Sequence, residues 1–308
     1  MSEVVCLGIL VADIIGRPID AVPPRGALQL VESIAPFIGG CAANTGIGLQ
    51  KLGVETLVAG RIGRDGLGDF LRAEIERAGV KTQLSCDERA ATSATMVLVA
   101  SDGERSFLHS TGANATLKAE HFDSSVLDGA RLLHIAGHGL LPSFDGLPCA
   151  TLLQQARRRA VLTSLDTAGA PDATWRGNLR ACLPHLDFFL PSLHEVKELF
   201  PDIQTPEAVA MRLLEEGVGT VALKMGGEGA FVHNGREAHH VPPFAVQSVD
   251  ATGAGDAFAA GFLAGILRGF DLKRCAKLGN ACGALCVTQI GTVSAARSLE
   301  ETLEYFGL

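Results

Sequence analysis

Short apolar runs rich in β-branched residues alternate along this chain with longer stretches whose apolar residues recur at helical spacing. Residues 4–11 predict a strand, 42–52 a helix, 55–61 a strand and 66–78 a helix. Residues 94–99 and 106–109 read as two strands around Asp102-Gly103, a dipeptide typical of hairpin turns. Residues 131–136, 161–166, 188–191 and 220–224 read as further core strands, with helical segments between them. Alternation of this kind predicts an α/β fold in which helices cover a mostly parallel sheet, with right-handed crossovers.

Two regions break the rhythm. Residues 14–36 carry Pro18, Pro23, Pro24 and Pro36 among mixed polar and apolar positions, and 94–110 is the hairpin. Pattern alone allows either a small second sheet or two surface excursions. No internal repeat and no low-complexity linker separates them from the rest.

Composition narrows the class. The 308 residues are 47% apolar and 19% charged, as in a globular enzyme, and the formal net charge of -8 offers no basic field for nucleic acid. The run Arg157-Arg158-Arg159 reads as the solvated end of a helix. No stretch reaches about 18 apolar residues, so no membrane span is expected. Met1-Ser2-Glu3 leads straight into an apolar run without the features of a secretory leader, which points to the cytoplasm. The eight cysteines form no C-x-x-C pair; Cys275, Cys282 and Cys286 fall at helical spacing and read as small buried hydrophobes. His134 and His138 are spaced like a metal pair on a helix, but Gly137 and Gly139 argue against a helix there and no third ligand is evident.

The densest chemistry lies at Val249-Asp250-Ala251-Thr252-Gly253-Ala254-Gly255-Asp256-Ala257-Phe258, followed by an Ala-rich apolar run to Gly269. This reads as a tight turn opening a helix, where unpaired backbone N–H groups suit an anion. A carboxylate in the first turn, Asp256, adds a group able to take a proton from an attacking hydroxyl, which suggests phosphoryl transfer. Its position at a helix start predicts an ionised, weakly basic aspartate. No Lys-Ser or Lys-Thr follows the glycines, so this is not a Walker A loop, and Phe258 stands where a dinucleotide fingerprint needs its third glycine. A compact strand-to-helix connection without a ligand is the plain alternative. Gly39-Gly40-Cys41-Ala42-Ala43-Asn44 is a second small-residue helix entry, with Asn44 suited to hydroxyls or simply exposed. Asp13 ends the first predicted strand, where ligands of open α/β sheets bind, although a capping aspartate would also fit.

In this order the pieces resemble the ribokinase-like (PfkB) carbohydrate kinases over nearly the whole chain. Residues 250–258 resemble the family signature D-T-x-G-A-G-D-x-F. The earlier signature matches at Gly39-Gly40 through Asn44, Leu52-Gly53, Gly60-Arg61-Ile62-Gly63-Arg64-Asp65 and Gly68. Asp102-Gly103-Glu104-Arg105 and Gly112-Ala113-Asn114-Ala115 are also similar.

The resemblance implies a three-layer α/β core (1–13, 36–93 and 111–308) with a β-sheet lid (14–35 and 94–110). It implies ATP as donor, Mg2+, K+ as a further cation and a sugar-like hydroxyl as acceptor. By the same likeness Asp256 is the general base, and the N–H groups of Gly253, Ala254 and Gly255 form the anion hole. Asp13, Gly39, Gly40 and Asn44 would bind the acceptor. Ser192, Glu195, Lys224, Gly226, Gly229, Thr252 and Asn280 would serve the nucleotide, with Glu195 holding Mg2+ through water. Asp250 and the backbone near Gly291 would resemble the family's monovalent-cation site. One departure stands out: in Pro191-Ser192-Leu193-His194-Glu195 a serine replaces the asparagine of the family's N-x-x-E.

The acceptor stays open among a plain sugar or sugar acid, a nucleoside stacked on Phe37 or Phe107, and a phosphorylated sugar held by Arg17, Arg25, Arg89 or Arg105. A non-catalytic sugar- or nucleotide-binding regulator on the same fold and an NAD-dependent oxidoreductase are the readings from other classes. An exposed lid sheet would favour a homodimer.

Overall fold

A computed structural model of the protein describes residues 2–169, 173–203 and 205–308; Met1, part of the stretch weighed as a leader, lies outside them. The strands are β1 (Val4–Gly8), β2 (Val11–Arg17), β3 (Ser33–Gly39), β4 (Thr56–Gly63), β5 (Lys81–Asp87), β6 (Ala94–Val99), β7 (Arg105–Ser110), β8 (Leu132–His138), β9 (Leu162–Thr167), β10 (Phe188–Phe189), β11 (Thr220–Lys224), β12 (Ala230–His233) and β13 (Ala238–Val241). The helices are α1 (Cys41–Lys51), α2 (Gly66–Arg77), α3 (Leu147–Arg158), α4 (Ala173–Cys182), α5 (Leu193–Lys197), α6 (Pro206–Glu215), α7 (Ala254–Leu267), α8 (Leu272–Cys286) and α9 (Leu299–Phe306).

The large sheet runs β13-β12-β11-β10-β9-β8-β1-β4-β5. It is parallel except at the β12 and β13 edge. Central strand β1 is buried on both faces, so it reads as an unbroken apolar run rather than an alternating one. Val5 and Leu7 belong to one core and Val4 and Cys6 to the other. The result is the helix–sheet–helix sandwich expected from the alternating pattern.

The small sheet, β3-β2-β6-β7, pairs the proline-rich segment with the hairpin, so the two regions that break the rhythm are one structure. Pro36 is tolerated because β3 lies at an edge of that sheet. The single strand expected over 4–11 is instead two. A side chain at Gly8 would run into the backbone of Ala136, and after it the chain leaves the large sheet and enters the small one at Val11. Arg157, Arg158 and Arg159 are exposed at the end of α3, as expected. His134 and His138 lie on strand β8, where the His134 ring meets Ser164 Oγ at 2.8 Å. Cys275 and Cys286 are buried and Cys282 half-buried.

Candidate active site

Helix α7 is apolar all round and is buried along its length, so its start is held firmly. Glycines let α8 approach it: a Cβ at Gly279 would sit 2.8 Å from the Phe258 ring. The helix opens on Gly253 at φ 80°, a left-handed conformation that a glycine adopts without strain. The first N–H groups of a helix have no carbonyl one turn back to bond. The N–H of Ala254 also reaches the carbonyl of Ala251 at 3.2 Å.

Asp256 sits in that first turn and is only 8% exposed. Asn44 Nδ2 donates to Asp256 Oδ2 at 2.8 Å, and Thr292 Oγ1 donates to Asn44 Oδ1 at 2.6 Å, with Ile38 O 3.1 Å away. Asn44, read as an acceptor ligand or an exposed residue, is thus buried and holds the aspartate in place. The aspartate is not the easily ionised helix-start group expected from the sequence. Burial raises its pKa, against the pull of Asn44 and Lys224. Desolvation outweighs the helix dipole here, and the carboxylate is the stronger base for it.

Loop 250–255 lines two cavities. One, of about 360 Å³, lies between the small sheet and the core; Asp13, Arg17, Glu32, Phe37 and Arg105 are among its walls. The other, of about 590 Å³, lies over the α7–α8 side and includes Lys224, Gly226, Gly229, Gly255 and Asn280. Asp13 stands on β2 beside Gly39, where any side chain would collide with its carboxylate. Burial, with the charges of Asp250 and Asp256 nearby, lifts Asp13 to about 6. Gly40 opens α1 at φ 88°, with the backbone of Ile9 and Leu10 pressed where a side chain would be. Asn280 donates to the carbonyls of Val241 and Pro242 at 3.0 Å each, shaping the wall that continues to Phe244.

Lys224 Nζ bonds both oxygens of Asp166, at 2.5 and 2.7 Å, and lies 3.1 Å from where a Cβ at Gly255 would be. Burial alone would lower this lysine; Asp166 reverses that and keeps it charged. Asp166 was not singled out from sequence, because nothing local marks it. Burial pushes its pKa up to about 7, with Asp256 and Glu195 adding to the shift and Lys224 opposing it. Glu195 Oε2 accepts from Thr167 Oγ1 at 2.9 Å and from Ser192 Oγ at 2.7 Å. The Glu195 N–H returns a bond to Ser192 Oγ at 3.2 Å, so Ser192 caps α5.

Asp250 and Gly291 do meet, the N–H of Gly291 lying 3.4 Å from Asp250 Oδ2. A monovalent cation is nevertheless a poor fit there. Arg105 Nη1 already pairs with Asp250 Oδ1, and the Thr252 N–H bonds the same oxygen at 2.7 Å. Phe107 is 54% exposed and does not line the cavity that holds Phe37.

A doubly covered parallel sheet with a glycine-capped helix start between two cavities, and a carboxylate set into its first turn, is the build of a small-molecule kinase. Comparison with known proteins agrees. The sequence model described as pfkB family carbohydrate kinase matches residues 1–299. A protein of Archaeoglobus fulgidus named as an uncharacterized sugar kinase is 33% identical over 254 residues, covering 80% of this chain and 96% of its own. A fructokinase of Escherichia coli is 29% identical over 275 residues, 85% of this chain and 89% of its own. Among solved structures, an E. coli protein assigned as a ribokinase II, in complex with ATP and Mg2+, superposes with a TM-score of 0.88 at 28% identity, covering 100% of this chain and 99% of that one. The chain belongs to the pfkB family of carbohydrate kinases.

Proposed function

We propose that this chain moves the γ-phosphoryl group of ATP to a hydroxyl of an uncharged sugar or close relative, with Asp256 as general base. The observation that carries the reading is the Asp256 carboxylate, buried in the first turn of α7 and held by Asn44, beside the one loop that lines both cavities. The larger cavity takes the nucleotide, with Gly226, Gly229 and Asn280 along its walls. The phosphates reach Lys224 and the N–H groups of Gly253, Ala254 and Gly255. Asp13 and the backbone of Gly39 and Gly40 hold the acceptor in the smaller one. Asp256 takes the proton of the attacking hydroxyl as its oxygen bonds phosphorus, and the bond from phosphorus to the ADP oxygen breaks. Positioning and charge neutralisation supply most of the rate.

Asp166, Asp256 and Glu195 gather around Lys224, the one cation beside them among the described residues, so carboxylates outnumber cations there and the site suits Mg2+. Glu195 would hold that ion through water, and the ion would neutralise phosphate oxygens when bound.

The cavity walls favour an uncharged acceptor. Arg17 Nε donates to Ser33 Oγ at 3.3 Å and Arg105 is committed to Asp250, while Arg25 and Arg89 lie outside the lining. A second phosphate would therefore meet Arg17 alone rather than a cluster of guanidinium groups, and a nucleobase would find Phe37 without Phe107. ADP release with Mg2+-ATP against neutral sugars, sugar acids, nucleosides and sugar phosphates tests this. Neutral sugars should give the highest kcat/KM, above about 10⁴ M⁻¹s⁻¹. Turnover with sugar phosphates alone would refute the neutral acceptor and keep the kinase.

Asp13 makes acceptor binding depend on pH. Its folded pKa is near 6, so it is mostly protonated at pH 5 and ionised above 7, and only the ionised form accepts through both oxygens with a full charge. The acceptor KM should fall as pH rises through about 6. Asp13→Asn should flatten that dependence and raise KM throughout.

The small sheet serves as the lid of the acceptor cavity, and a second copy of the chain covers its outer face. Ile34, Met96 and Leu108, which share the face turned away from Asp13 and Val97, are all more than half exposed, an apolar array rarely left bare. Sedimentation should show a dimer that Met96→Glu with Leu108→Glu dissociates. A wild-type monomer at micromolar concentration would rule the lid dimer out.

A further inference from the structure

The lid hairpin sends one charged side chain across to the core. Arg105 opens β7, just past the Asp102-Gly103 turn, and its side chain is only 15% exposed. Its Nη1 pairs with Asp250 Oδ1 and donates to Thr252 Oγ1 at 3.0 Å, while Nη2 donates to Val249 O at 3.2 Å. All three partners lie on the segment that runs into Gly253 and the start of α7. Arg105 is the only ion-pair partner of Asp250 among the described residues. The Asp250 side chain is 4% exposed, and its other bonds are the N–H groups of Thr252 and Gly291. A buried carboxylate without a counter-charge is costly, and removing one partner of such a pair is strongly destabilising.

We infer that Arg105 is the resident cation of Asp250, so that a side chain of the lid orders the anion-hole segment here, in place of a dissociable K+. The guanidinium suits the task. It is planar and always charged, and its fork of donors reaches a carboxylate, a hydroxyl and a carbonyl together. A free cation at Oδ1 would have to evict it. The arrangement also ties assembly of the segment to the lid, since lifting the hairpin withdraws the charge that Asp250 needs. Arg105 is thus a positioning residue that acts through Val249, Asp250 and Thr252. This rests on the reading of the α7 start as a phosphate-binding turn, although the cation assignment can be measured without turnover.

The test compares melting temperatures in KCl and in choline chloride of equal ionic strength, for the wild type, Arg105→Gln, Arg105→Lys, and Arg105→Gln combined with Asp250→Asn. The wild type should melt at the same temperature in both salts, within about 1 °C. Arg105→Gln should melt lower in choline and regain about 2 °C or more in K+, a shift expected from a modest stabilisation in a chain of this size. Arg105→Lys keeps the charge with a shorter reach and should show a smaller K+ response. The double variant, which has lost the carboxylate as well, should show none. Calorimetry of a non-hydrolysable ATP analogue with Mg2+ gives a second readout. K+ should tighten its binding to Arg105→Gln about fivefold or more and leave the wild type within twofold. The assignment is overturned if K+ stabilises the wild type as much as Arg105→Gln, if Arg105→Gln gains nothing from K+, or if the double variant still responds. Should no protein bind the nucleotide in any salt, the kinase reading fails and the melting comparison alone decides the role of Arg105.

Discussion

Asp256→Asn is expected to lower turnover at least about a hundredfold, the smaller end for loss of a general base, while Mg2+-ATP binding stays within a few-fold. The substitution keeps shape. An amide can still present its oxygen to Asn44 Nδ2, so the Asn44–Thr292 chain and the start of α7 survive. What goes is the proton acceptor beside the attacking hydroxyl. Stability should move the other way. Because burial raises the folded pKa of Asp256, its ionisation opposes folding. That penalty grows as pH rises from the ordinary carboxylate range through the raised value. At pH 7 and above the variant should therefore melt at the same temperature or higher. A dead variant that also unfolds early would mean Asp256 is structural. Steady-state kinetics, calorimetry and melting on one preparation separate the cases.

Gly253→Ala should be nearly as damaging for a different reason. Gly253 holds φ 80°, and an added Cβ would lie 2.7 Å from Thr292 Cβ and 2.9 Å from its Cγ2. The left-handed backbone alone costs an alanine about 1–2 kcal/mol, and the contact forces Thr292 or the turn to move. Thr292 holds Asn44, which holds Asp256, so a displaced Thr292 spoils the base as well as the anion-binding turn. Turnover should fall about 10²–10³-fold, as when a donor to a developing anion is lost. Melting should fall by roughly 2–4 °C per kcal/mol for a chain of about this size. Wild-type turnover in this variant would mean the turn is only a strand-to-helix connection, the plain alternative open from sequence.

Features carried by consecutive residues were legible in the sequence. The glycine turn with Asp256, the second glycine cluster and the central strands all announce themselves within ten residues. Strand β5, KTQLSCD, has too few apolar residues to read as a strand, because it lies at an edge of the large sheet. The short AHHV strand β13, at the other edge, is equally silent. The break after Gly8 depends on the Ala136 backbone from a strand far along the chain. The same distance hid much of the site's electrostatics. Arg105 and Asp250 are 145 residues apart, and Asp166 and Lys224 58 apart. The helix start that should favour an ionised Asp256 is visible in the sequence, but the burial that outweighs it is not. Ser192 and Glu195 three residues apart also spell a capping box, and their reciprocal bonds close it at the start of α5.

The measurement that bears most directly on the central claim is product stoichiometry with Mg2+-ATP and the best neutral sugar, by mass spectrometry alongside ADP release. Wild type should make one sugar phosphate per ADP, and Asp256→Asn should make neither at a comparable rate while still binding Mg2+-ATP. ADP without sugar phosphate in the wild type, or equal amounts of both products at equal rates from the variant, would contradict it.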